Sequence, residues 1–263
     1  MYATLVTIAA LVGVAIGSFL NVVIYRVPRG ESVVRPGSHC PTCGRRIRPS
    51  RNVPIVSYVL LRGRCASCGA RISLRYPVIE AATGVLFAAT TAWALASGNG
   101  PLLPALLYLA AVGLALAAID LELHRLPNAL VLPSYPVVAI LLTAAASGTG
   151  DWWALGRAGI GAVALFAFYL LLVLAYPAGM GWGDVKLAGV LGAVLGFVGW
   201  PALIVGAFAG FVFGAVVAIA VIVTRRGTGK SALPFGPFML MGAAAGIVFG
   251  ADLAAAYWEA LGA

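Results

Sequence analysis

Residues 102–120 read LLPALLYLAAVGLALAAID, an uncharged run closed by a single carboxylate, Asp120. A hydrocarbon core about 30 Å thick needs about 20 mainly apolar residues per helix, so this stretch predicts one membrane crossing. Seven more runs of the same kind lie at 3–25, 77–97, 129–148, 157–177, 184–199, 201–224 and 233–260. The composition agrees. Of 263 residues, 62% are hydrophobic and 10% charged, with a mean hydropathy of +1.02. A soluble domain carries roughly a quarter charged residues. The expected fold is an all-α polytopic membrane protein with about eight transmembrane helices. The first run has no basic segment before it and exceeds the usual apolar length of a signal peptide, so it reads as a retained span.

The cations fix an expected orientation. Eleven arginines fall within 26–76, and Arg125, Lys186, Arg225, Arg226 and Lys230 lie in later loops. With the N-terminus outside, all of these share the cytoplasmic side, and Arg157 is the exception among the seventeen Lys and Arg residues. Eight spans then place both termini outside. The expected organisation is a first transmembrane helix (1–25), a cytoplasmic Cys- and Arg-rich domain (26–76) and a seven-helix membrane domain (77–263). The formal charge of +9 could suggest nucleic acid. Topology and attraction to anionic lipid headgroups explain loop-confined arginines without it, and no nucleic-acid partner is expected. Glycines at every fourth position, Gly206, Gly210 and Gly214, then Gly242, Gly246 and Gly250, predict close helix packing in lipid.

All four cysteines form one arrangement, Cys40-Pro-Thr-Cys43 and Cys65-Ala-Ser-Cys68. Gly44 and Gly69 follow the pairs and permit the tight turn that aims two sulfurs at one ion. Paired CxxC knuckles at nearly this spacing point to a tetrahedral structural Zn site. Two disulfides or a redox CxxC are the alternatives, and a reducing cytosol disfavours them. An Arg-rich segment of this size builds little core, so a metal staple coupled to its folding is expected.

Two of the eight acidic residues stand out. Asp120 closes its span in Asp120-Leu-Glu-Leu-His124-Arg-Leu126-Pro127-Asn128, where Pro127 disfavours helix at the residue before it. Asp184 follows Gly179-Met-Gly181-Trp-Gly183 and opens the sixth span, with Lys186 beside it. Gly181 and Gly183 form the supporting loop. Taken singly, Asp184 reads equally as a helix N-cap and Asp120 as an interfacial anchor. Lys186 reads as a snorkelling surface residue within reach of the aspartates, and His124 as interfacial rather than a base. Together, at one face of the bilayer and each beside a helix break, the aspartates predict a catalytic dyad. Two close carboxylates share a proton, so that one takes a proton from water while the other serves the substrate carbonyl. No GxSxG, HExxH or nucleotide-binding loop is present.

With these residues in view, the chain resembles the bifunctional type IV prepilin peptidases of bacteria, the leader peptidase/N-methyltransferases. The likeness includes Gly17-Ser-Phe-Leu-Asn21-Val-Val-Ile-Tyr25-Arg26, both CxxC pairs, Asn52-Val-Pro54-Ile-Val-Ser57-Tyr58, Leu61-Arg-Gly63-Arg-Cys65, Ile72-Ser-Leu-Arg75-Tyr76-Pro77 and Glu80. It continues through Asp120 with its Leu-Pro, Gly181-Trp-Gly183-Asp184 with Lys186-Leu187, and Pro234-Phe-Gly236-Pro237. Asn128 stands where some relatives carry Asp. The resemblance implies an inner-membrane enzyme that cleaves leaders from type IV prepilins or pseudopilins after a Gly, with Asp120 and Asp184 catalytic. It also implies methylation of the new N-terminus from S-adenosylmethionine, with no binding residues for that cofactor legible in the sequence. The presenilin-type GxGD proteases are a second enzyme reading, which the Cys domain disfavours. A proton-coupled transporter using the same aspartates and a zinc-stabilised scaffold are the readings from other classes.

Overall fold

A computed structural model describes residues 2–177, 179–224 and 233–262. Arg225, Arg226 and Lys230, used above for orientation, lie outside the described residues, as do Met1, Ala178 and Ala263. Regular structure among the described residues is helical: α1 (Tyr2–Arg26), α2 (Val56–Leu60), α3 (Arg75–Ala96), α4 (Leu103–Leu123), α5 (Asn128–Thr149), α6 (Trp153–Ala175), α7 (Trp182–Val198), α8 (Trp200–Val223) and α9 (Gly236–Ala260), with three short 3-10 turns. Two isolated antiparallel bridges, His39 with Arg46 and Arg64 with Arg71, are the extended pairings. Each of the eight apolar runs is thus a helix. Seven are long and apolar enough to cross a membrane. The eighth, α7, has 17 residues, the short end of the range for a crossing. The protein is an all-helical, multi-pass membrane protein.

The chain forms two compact units, Met1–Ala115 and Leu116–Ala263. In the first, α1 and α3 pack along their lengths. Glycine sets their approach. A Cβ at Gly17 would lie 2.7 Å from the Glu80 Cα, and one at Gly13 would lie 2.7 Å from the Thr83 carbonyl. Without water to drive apolar faces together in lipid, such backbone closeness supplies the packing.

In the second unit α7 is the hub, packed on α5, α6, α8 and α9. Twelve of its seventeen residues are buried, from Asp184 to Phe197. A helix surrounded by protein has no need to match the bilayer thickness, which fits its shortness. The α8 and α9 glycines interlock: a Cβ at Gly242 would lie 2.5 Å from the Gly210 amide nitrogen, and one at Gly250 2.8 Å from the Ala202 Cα. Helix α6 begins four residues before its expected span, at Trp153. Its Arg157 pairs with Asp151 at 3.5 Å and donates to the Phe197 carbonyl.

Candidate active site and cysteine centre

Asp120 sits in the last turn of α4 and Asp184 is the third residue of α7, both in the second unit and only 4% and 7% exposed. Each carboxylate takes one backbone N–H. The Gly236 amide, at the start of α9, donates to Asp120 Oδ2 at 3.0 Å. The Gly181 amide donates to Asp184 Oδ2 at 3.0 Å, while the Asp184 amide donates back to the Gly181 carbonyl. Asp184 is therefore not itself the N-cap; Gly181 is, and Asp184 serves the helix start from inside the first turn. Among the described residues no donor reaches Oδ1 of either carboxylate. The two are close enough for their charges to interact.

What brings them together is the loop between α4 and α5. His124 adopts φ +51 just past the end of α4, turning the chain back. Pro127, extended at ψ 129, launches α5 at Asn128. Between them Leu126 is buried and lies against Gly183 and Gly236. A Cβ at Gly183 would lie 2.8 Å from the Leu126 Cβ; one at Gly236 would lie 2.9 Å from Asp120 Oδ2 and 3.2 Å from Leu126 Cδ2. Both glycines are thus fixed by space rather than by turn geometry. Lys186 donates to Asn128 Oδ1 at 2.9 Å on an exposed edge, and the Tyr135 hydroxyl donates to the Lys186 carbonyl at 2.7 Å. Lys186 ties α7 to the start of α5. His124 is exposed, though near enough to Asp120 to interact with its charge.

Two contributors had no legible role in the sequence. Gly236 was visible only as part of a motif, and nothing local says that its amide meets a residue 116 positions away. Tyr169 lies in the middle of an apolar run. Gly161 of α6 packs on Gly192 of α7, and Gly196 on Arg157, so these helices run antiparallel. Eight residues further along α6, Tyr169 falls opposite Asp184, 2% exposed, with its ring near those of Phe211 and Phe235.

In the first unit the four cysteines converge. Their sulfurs all lie within 4.8 Å of one another, with Cys40 and Cys68 at 3.9 Å. The two knuckles repeat one geometry. Gly44 donates to the Cys40 carbonyl and Gly69 to the Cys65 carbonyl, both at 2.9 Å, with φ +68 and +72 at the glycines. Such positive φ is what glycine tolerates and other residues do not. The Cys43 and Thr42 amides aimed at Cys40 hold its thiol down at about 6. Those of Ser67 and Cys68 lower Cys65. At Cys68 the Ala70 amide lowers the value, but burial and the neighbouring sulfurs outweigh it and push the thiol up to about 11. Four thiols in this span fit a metal ion: tetrahedral Zn–S bonds of about 2.3 Å place sulfurs roughly 3.8 Å apart.

Residues 107–219 match the model of the type IV leader peptidase family, and residues 11–94 that of the bacterial peptidase A24 N-terminal domain. The chain belongs to the type IV leader peptidase family. The N-terminal match holds all four cysteines and the peptidase match both aspartates, whereas Gly236 lies beyond it. A prepilin leader peptidase/N-methyltransferase of Neisseria gonorrhoeae is 38% identical over 88% of this chain and 86% of its own. The like-named proteins of Pseudomonas putida and Bacillus subtilis are 33% and 32% identical, over 98% and 89% of this chain and 95% and 90% of theirs. No solved structure matches the chain.

Proposed function

We infer that this enzyme removes the leader of type IV prepilins or pseudopilins with Asp120 and Asp184 as its dyad, and then methylates the new N-terminus. Family membership carries the activity and sets aside the transporter and scaffold readings. The observation that supports the residue assignment is the pair of buried carboxylates, each steadied at Oδ2 by a backbone amide and each with Oδ1 free for chemistry.

In the mechanism, the ionised carboxylate takes a proton from a water as its oxygen adds to the scissile carbonyl carbon. The protonated partner donates to the carbonyl oxygen. Collapse of the tetrahedral intermediate breaks the C–N bond, and the proton held by the first carboxylate passes to the leaving amine. Like charges at close range keep one proton on the pair, and the titration belongs to the dyad rather than to either residue. Gly181, Gly183 and Gly236 position the carboxylates, while Lys186 holds the α7 start against Asn128.

The four cysteines would hold a structural Zn ion, closed by four thiolates and so without an open position for chemistry. S-adenosylmethionine supplies the methyl group. The groove of about 310 Å³ lined by Ile204, Phe208, Val212, Phe213 and Leu253 is apolar and does not fit that charged molecule. The orientation we favour places the Cys domain and both aspartates at the cytoplasmic side of the bacterial inner membrane, with both termini outside and lipid as the surrounding partner. No nucleic acid is involved. Intact-mass spectrometry of a prepilin incubated with purified protein, with and without S-adenosylmethionine, tests the function. Loss of the leader, plus one methyl with the cofactor, is expected; an unchanged substrate mass would overturn the reading.

A further inference from the structure

The Cys- and Arg-rich segment carries an apolar face that nothing in the first unit covers. Val56, Val59 and Leu60 are spaced to share one side of α2 and are 52%, 65% and 77% exposed, and Val53 just before them is exposed too. Solvent-facing clusters of this kind mark docking surfaces. The position of α2 is fixed. Ile55, at its N-cap, is held at φ +60, a conformation a β-branched residue rarely adopts, and its amide donates to Glu80 Oε2 at 2.7 Å. Glu80 is the sixth residue of α3, so it lies about 8 Å along the axis from that helix's start. Because α3 is a membrane-crossing helix, this tether holds α2 at the depth of the lipid headgroups.

Charge identifies the occupant. Between Ser32 and Ile79 there is no Asp or Glu, while Arg48, Arg51, Arg62 and Arg64 flank α2 and are exposed. A short apolar face with exposed arginines on both sides of it in sequence suits an anionic bilayer surface, where the side chains enter below the headgroups and the guanidinium groups pair with phosphates. We propose that α2 is an interfacial anchor: Val56, Val59 and Leu60 enter the headgroup layer of an anionic leaflet, and Arg48, Arg51 and Arg62 bind its phosphates. The anchor fixes the cysteine centre on the membrane surface, and it is independent of the peptidase assignment.

Hydrogen-exchange mass spectrometry of the full chain in nanodiscs tests it. Peptides covering 53–62 exchange more slowly in phosphatidylglycerol discs than in phosphatidylcholine discs, by roughly fivefold for a single engaged arginine. The difference shrinks at high salt and vanishes in V59E/L60E. Equal exchange of the unmodified protein in the two lipids would overturn the proposal, and that comparison needs no variant to fold. Protection that appears only when a prepilin is added, whatever the lipid, would overturn it in favour of a protein partner.

Discussion

The cysteine knuckles are shaped by contacts within a few residues, Cys40 with Gly44 and Arg45, Cys65 with Gly69 and Ala70, whereas Asp120 is held by an amide 116 residues away. The first site repeats one local turn twice and leaves the final closure to an ion. In the second, Asp184 meets its donor three residues away, whereas Asp120 meets the Gly236 amide only once α4 and α9 are in place. A local site fails by losing its ligand; a non-local one fails when any packed neighbour moves. The two should therefore break separately.

The largest effect is expected at the aspartates. Asp120→Asn and Asp184→Asn each lower prepilin cleavage by about a thousandfold or more, since acid–base groups commonly contribute that much. Both keep normal metal content and methylate a substrate supplied already cleaved, which mass spectrometry reads in one assay. Near-normal cleavage by either variant would remove that residue from the dyad.

Loss of the metal comes next. Cys40→Ser, or a strong chelator, takes bound zinc to near zero by elemental analysis and unfolds the knuckles, because metal binding and folding are coupled there. Exchange in α6 to α9 stays unchanged. Collapse of those helices would mean that the sites are not separable.

Gly183→Ala and Gly236→Ala sharpen the contrast without touching an ionisable group. Each places a carbon against Leu126 or Asp120 Oδ2 at under 3 Å. A displacement near an ångström costs about a hundredfold in rate, so cleavage falls by roughly ten- to a hundredfold with zinc retained. Gly181→Ala, whose added carbon would lie 3.4 Å from Asp184 Oδ2, is expected to be milder.

The smallest effect belongs to Lys186→Met, which loses one exposed hydrogen bond to Asn128. A stability change within about 1 kcal/mol and little change in cleavage are expected, by melting and by the same mass assay.

These differences follow how each feature was legible. Cys40, Cys43, Cys65 and Cys68 announced themselves because spacing along the chain is nearly the geometry of the site. The spans were legible for the same kind of reason: hydrophobic length is a local property that the bilayer reads directly. Asp120 and Asp184 were visible as rare carboxylates at helix breaks. Their donors were not, because a backbone amide such as that of Gly236 has no side-chain signature. Asp184 looked like an N-cap and proved to act from within the first turn, since the glycine at 181 took the cap position.

By itself, then, the sequence determined the long apolar helices, the cation-rich segments and the two sets of chemically active side chains, since each depends on composition over a few tens of residues; the short α2 was not among them. Tertiary structure alone decided that the shortest apolar helix is the hub, that Leu126 lies against Gly183 and Gly236, and that those two glycines must lack a side chain. Those facts are distances between chain segments remote in sequence, and close packing fixes them only once the helices have met.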